Sequence, residues 1–89
     1  MQLPDEVTAE VRRRLRRVGG QIGGIERMLD EGRDCKEVVA QISAATKALE
    51  QAGFRLVAEG LTYCIGNPDV AKADGYDVES VQRMFMRLA

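Results

Sequence analysis

The sequence contains no histidine and no tryptophan, and only two prolines, two cysteines, two tyrosines and two phenylalanines among 89 residues. Each shortage excludes something. Without imidazole there is no Ser–His or Cys–His pair, and no histidine to share in a metal site. With no paired-carboxylate cleft signal and little chain from which to build a pocket, an enzyme is not expected. Aromatics at 4% against 45% hydrophobic residues favour aliphatic helix packing over a sandwich or barrel. No apolar run approaches the ~20 residues of a membrane span, so no membrane partner is expected. The opening "MQLPDEVTAE" is acidic and lacks the apolar core of a secretory signal, so the expected location is cytoplasmic. In a reducing compartment two cysteines are more often reactive or metal-binding than a static staple. Thirteen basic and 14 acidic residues leave a net charge of −1, so only the distribution of charge can speak for a nucleic-acid partner.

What is present is helical periodicity. The length fits one small domain, residues 1–89, of a size that often needs metals, disulfides or oligomerisation for stability. From about Pro4 to Leu29, apolar residues fall at Val7, Val11, Leu15, Val18, Ile22, Ile25 and Leu29, in steps of three and four. That is the period of an amphipathic helix, close to a heptad seam. Pro4, Asp5 and Glu6 suit its first turn, and Gly32 suits its end. A second segment starts at "DCKEVV", where Asp34 and Glu37 resemble a capping box. Its stripe is Val38, Ile42, Ala45, Leu49, Ala52 and Leu56, and it runs to about Cys64. Gly53 and Gly60 weaken it by roughly 1 kcal/mol each relative to Ala. "GNPD" at 66–69 stops it. A third, short helix is capped by Asp77 and presents Val78, Val81, Phe85 and Leu88. "VAKADGYD" between them reads as a loop or a single turn.

Cys35 and Cys64 stand 29 residues apart on the second segment. On an unbroken helix that is roughly 44 Å at 1.5 Å per residue. A disulfide needs Cα atoms within about 7 Å, so the two thiols of one chain cannot meet. Two copies packed antiparallel, crossing near Leu49 and Glu50, bring Cys35 of one beside Cys64 of the other, and two-fold symmetry makes two such sites. Cys35 sits at a helix start, where unpaired amides favour the thiolate, and Arg33 and Lys36 add to this. Cys64 sits at a helix end, which disfavours it. One attacking and one resolving thiol suits a redox sensor. The bland alternative is a pair of small buried hydrophobes.

The charge is concentrated. "EVRRRLRRVGG" places Arg12, Arg13, Arg14, Arg16 and Arg17 within six positions, interrupted only by Leu15. Guanidinium groups suit phosphate, which supplies affinity rather than sequence choice. Against this stands a solvated face paired with Glu6 and Glu10 at helical spacing. Gly19, Gly20, Gly23 and Gly24 form two smooth strips, or else a break in the helix. No helix-turn-helix, zinc-finger or basic-zipper pattern is present.

Together, "RLRRVGGQIGGIERMLDEGRDCKEVVAQISAATKAL" resembles the core of the CsoR/RcnR/FrmR-type transcriptional repressors, over about residues 12 to 65. The resemblance rests on the arginine-rich start, on Gly20, Gln21 and Gly24 in a G-Q-x-x-G pattern, and on the D-C-x-x-V and Q-I-S-A stretches. To the three-helix protomer read from the spacing, it adds an all-α fold, an antiparallel, four-helix-bundle-like dimer and a homotetramer built as a dimer of dimers. It also implies operator DNA as partner, bound through basic and polar residues of the first two helices and released when the cysteine site is occupied. Arg14 matches an arginine that the family uses on DNA; Gln21, Lys47 and Arg55 join Arg12, Arg13, Arg16 and Arg17 as candidates. Gln51 stands where the family has a second basic residue. Copper(I) sensors of the family carry Cys, His and Cys; here Cys35 and Cys64 match the cysteines and Gly60 stands at the histidine. The persulfide-sensing CstR-like branch keeps both cysteines without the histidine, and "GRDCKEVVAQISA" resembles that branch.

The leading expectation is therefore a repressor that senses reactive sulfur species through Cys35 and Cys64 of two subunits, with no cofactor. The alternative is a copper(I) sensor that uses the same two thiolates. A third reading is a scaffold bundle with inert cysteines.

Overall fold

The computed structural model describes residues 1–89. It is all helical, with α1 over Asp5–Asp30, α2 over Cys35–Gly66, α3 over Pro68–Ala73 and α4 over Val78–Leu88. The spacing predicts three helices and the chain forms four. The addition is α3, six residues beginning at Pro68 after Asn67 leaves the helical region at φ −143° and ψ 70°. So short a helix cannot stand on its own propensity. It is held because Ala71 is completely buried beside Cys64 and Val81.

The two long helices keep their expected limits to within two residues. α1 runs straight through Gly19, Gly20, Gly23 and Gly24 without a break. It ends in a Schellman motif: the Arg33 N–H donates to the Met28 carbonyl at 2.9 Å, the Gly32 N–H to Leu29 at 3.1 Å, and Gly32 takes a φ of +67°. Asp34 caps α2 by accepting from the Lys36 N–H at 3.0 Å. The expected capping box is only half made, because the Glu37 carboxylate is drawn to Arg33 Nε at 2.9 Å instead of back to the cap. The full box forms at α4, where Asp77 accepts from the Ser80 N–H and the Ser80 hydroxyl accepts from the Asp77 N–H.

α2 is the hub on which α1, α3 and α4 each pack. The α1–α2 hairpin buries Val7 and Val11 against Ala52, and Val18 beside Ala45. On α2 the buried positions Val38, Ala45 and Ala52 recur every seven residues. Their partners in the apolar stripe, Ile42 and Leu49, are about half exposed, as are Leu15 and Ile22 on α1. The stripe read from the sequence is therefore two stripes, one facing the neighbouring helix of the same chain and one facing outward. Ten of the 89 residues are buried. The chain measures 55 × 25 × 13 Å, and its radius of gyration is 16.9 Å. A compact chain of this length has about 12 Å. No helix is long and apolar enough to cross a membrane.

Candidate functional site

The two cysteines are placed by α2 alone. The helix is unbroken from Cys35 to Gly66, so the thiols are separated along one rod by roughly 44 Å. Both are free, Cys35 exposed and Cys64 buried. No group of three potential metal ligands exists within the chain.

Cys35 is the first residue of α2, one after its cap. The guanidinium of Arg33, expected to add positive field beside it, is already engaged, 2.9 Å from Glu37 and 3.6 Å from Glu31. The hydrogen bond to Glu37 is the main cause that raises the Arg33 pKa above its ordinary value. Lys36 makes no ion pair, so it is the unshared cation next to Cys35.

Cys64 lies under the C-terminal helices at 6% exposure, packed on Ala71 and Val81 and flanked by Val57, Tyr63 and Tyr76. Tyr63 and Tyr76 meet edge to face with centroids 5.6 Å apart. The Tyr63 hydroxyl donates to Asp74 at 3.2 Å, and the same carboxylate oxygen receives the Met1 ammonium at 2.7 Å. Burial, followed by the nearby Asp74 charge, raises the Tyr63 pKa. The Met1 hydrogen bond lowers that of Asp74. Gly60, one turn before Cys64, is buried. A Cβ there meets Val81 at 3.6 Å and Met84 at 3.7 Å, so α4 fills the direction a larger side chain would take.

The seat of α4 is a feature that sequence reasoning missed. A Cβ at Gly53 would come within 2.7 Å of Leu88, and Phe54 stacks on Phe85 with centroids 5.4 Å apart. Gly53 and Gly60 are seven residues apart, two turns on one face. That spacing is the signal that α2 carries a groove for another helix. Taken singly, each glycine reads only as a weak point.

The arginine block lies along one helix and is largely free. Arg12, Arg13, Arg16 and Arg17 are exposed and make no ion pair. Arg14 is half-buried, and its Nη2 lies 3.9 Å from Glu10. The alternative of a face neutralised by Glu6 and Glu10 is thus realised at one arginine. Gln21 turns toward α2, half-buried, into a hollow it shares with Arg27, Arg33 and Gln41; its side-chain oxygen is buried without a partner. On α2, Lys47, Gln51 and Arg55 follow one i, i+4 ridge. Lys47 and Gln51 are exposed. Arg55 is not free: its Nε donates to Glu10 of α1 and its Nη1 lies 3.3 Å from Glu59. These bonds, the one to Glu10 foremost, raise its pKa. The hairpin therefore brings Arg14 and Arg55 to one carboxylate, Glu10. It does not bring Cys35 to Cys64.

The chain is similar in sequence to known proteins. The family described as metal-sensitive transcriptional repressor matches residues 8–87. The chain is 47% identical over 53 residues to the copper-sensing transcriptional repressor RicR of Mycobacterium tuberculosis, covering 60% of this chain and 55% of that one. It is 29% identical over 66 residues to the copper-sensing transcriptional repressor CsoR of Bacillus subtilis, covering 74% and 64%. It is 33% identical over 82 residues to the CsoR of Mycobacterium tuberculosis, covering 89% and 66%. The chain thus spans between about half and two-thirds of the length of these relatives. An all-helical hairpin with an arginine-lined first helix, a cysteine at each end of the second, and a family match over nearly the whole chain lead to one conclusion: the protein belongs to the metal-sensitive transcriptional repressors, a family of regulators and not of enzymes.

Proposed function

We propose that the chain is an operator-binding repressor whose inducer site is formed between two subunits by Cys35 of one and Cys64 of the other, with copper(I) as the inducer. One observation carries the reading. α2 is a single helix, so its own thiols lie far apart; an antiparallel partner helix is the arrangement that joins them. The half-exposed Leu15, Ile22, Ile42 and Leu49 supply apolar surface for such a partner, and two-fold symmetry gives two sites per dimer. A homotetramer would repeat the arrangement. The free Arg12, Arg13, Arg16 and Arg17, with Arg14 and the Lys47 side of α2, make the surface for DNA phosphates.

Copper(I) is preferred over the sulfur-species reading on the relatives, and over nickel or cobalt on the donor set. The relatives named above are copper sensors. The donor set is also soft: two thiolates suit copper(I), whereas the chain has no imidazole to offer nickel or cobalt. The fit is therefore to a metal held by two sulfurs from two chains. Bound there, it would join two subunits through charges that otherwise repel. By linkage, the loss of DNA affinity equals the difference in copper affinity between the free and DNA-bound states.

A second reading, reactive sulfur species, is favoured by the Gly60 position. α4 occupies the space where a third ligand would project, and two thiolates need none for sulfur chemistry. The Cys35 thiolate would take the outer sulfur of a low-molecular-weight persulfide, releasing its thiolate. The Cys64 thiolate of the partner would then attack the inner sulfur, forming a disulfide and releasing hydrosulfide. The two thiols are oxidised by two electrons and the transferred sulfur is reduced.

The test is to titrate the DNA complex separately with copper(I) buffered by a competing chelator and with a persulfide donor, following release by fluorescence anisotropy and products by intact mass. Copper uptake at one ion per cysteine pair with DNA release supports the proposal. Covalent dimers after persulfide, with no competitive copper uptake, reverse the preference. Release that survives Cys35→Ala removes the thiol site altogether.

A further inference from the structure

Glu10 sits between two guanidinium groups of the arginine face. Its Oε2 accepts the Nε–H of Arg55 from α2, and its Oε1 lies 3.9 Å from Arg14 of α1. Glu10, Arg13, Arg14 and Arg17 line one open hollow on the arginine face. A carboxylate presents two acceptor oxygens in the planar spacing that a guanidinium also recognises in phosphate. Glu59 holds the other side of Arg55 at 3.3 Å. Glu10 and Glu59 thus offset the charges of Arg14 and Arg55, while Arg12, Arg13, Arg16 and Arg17 remain unpaired. The two exceptions are the arginines that α1 and α2 bring together.

We propose that Glu10 is a built-in competitor for phosphate that weakens the grip of the arginine face on DNA. This rests on the reading of that face as the operator surface and adds to it a residue that sets the strength of binding. The physical need is for release. An inducer changes DNA affinity only by its coupling free energy, typically a factor of about 5–150. Each further free arginine tightens binding to cognate and non-cognate DNA alike, and so raises what a fixed coupling factor must overcome. A carboxylate already seated between two of the guanidinium groups makes each phosphate contact there an exchange rather than a gain.

The experiment measures DNA affinity against salt for the full chain and for Glu10→Gln, on an operator duplex and on a scrambled one. Glu6→Gln is the control, because Glu6 lies one turn earlier on α1, carries the same charge and makes no ion pair. The expected result is tighter binding of both duplexes by Glu10→Gln. Its slope of log affinity against log salt should steepen by about 0.9 for each further phosphate neutralised, and Glu6→Gln should change the slope less. Glu59→Gln, which frees one side of Arg55 while Arg14 keeps Glu10, should also exceed the control, and it carries the test if Glu10→Gln loses its helical signal. Weaker binding by Glu10→Gln, or a slope equal to that of Glu6→Gln, overturns the proposal. Absence of DNA binding by the unaltered chain is a different failure and removes the operator reading itself.

Discussion

At the N-terminal end of α2 the Cys35 thiol is exposed, on a first turn capped by Asp34 and crossed by the Arg33–Glu37 ion pair. At the C-terminal end Cys64 lies at 6% exposure beneath Ala71 and Val81. The same chemical group has been placed in water at one end of the rod and in an apolar seat at the other. The segments adjoining each end of α2 make the difference: a four-residue hairpin turn covers nothing, while α3 and α4 fold back over the far end. A pair of thiols differing this much in access has a built-in order of reaction. If the two act as the proposed intersubunit pair, Cys35 meets a reagent first and Cys64 follows only when the C-terminal helices open.

The difference between the two ends of α2 is open to experiment, and the largest effect concerns function. Cys35→Ala and Cys64→Ala should each abolish inducer-driven release while leaving DNA affinity unchanged, read by anisotropy; one variant that still responds would show that the two ends do not work as a pair. Next comes access. Under native conditions a neutral alkylating reagent should modify Cys35 at least about tenfold faster than Cys64, because a buried thiol reacts only through local opening. The two rates should converge in denaturant, as peptide mass spectrometry would reveal. Third, Gly53→Val drives a side chain into Leu88, which lies 2.7 Å from the Cβ position. Overpacking of this kind costs about 1–3 kcal/mol, so the melting temperature should fall and Cys64 should alkylate faster, with Cys35 unaffected. Pairing it with Leu88→Ala should restore part of the loss. Fourth, Asp34→Ala removes the cap beside Cys35, at a cost of about 1 kcal/mol by thermal melting, without exposing Cys64.

The smallest effect is in acid. The Asp74 pKa is lowered chiefly by its hydrogen bond with the Met1 ammonium, so the folded carboxyl gives up its proton more readily than the unfolded one. Its contribution is present above the ordinary carboxylate pKa and fades as the pH falls through the lowered one. An Asp74→Asn variant should therefore show a flatter loss of stability in acid than the unaltered chain, with the Cys35 end indifferent to the change.

Much of this architecture was legible in the residues. The three-and-four spacing from Val7 to Leu29 marked α1, and the Asp34 cap and Val38–Leu56 stripe marked α2. The decisive inference, that Cys35 and Cys64 are too far apart to meet in one chain, needed only helix rise and a count of residues. Other features were hidden for physical reasons. α3 depends on the burial of Ala71, a tertiary contact with no periodic signature. The Glu10–Arg55 bond spans 45 residues; the i, i+4 rule that pairs Glu10 with Arg14 has no reach over that distance. Gly53 read as a flaw in a helix because what it accommodates, Leu88, comes 35 residues later. The stripe on α2 could be seen, but which half of it faces α1 required the hairpin to close.

Only ten residues in this chain are shut away from water. Set beside the apolar rows left open on α1 and α2, that sparse interior has a consequence for abundance. If the rows are covered by further copies, as proposed, shape and company become one equilibrium, and dilution melts the molecule as surely as heat does. A cell holding too few copies would then lack both the regulator and its fold.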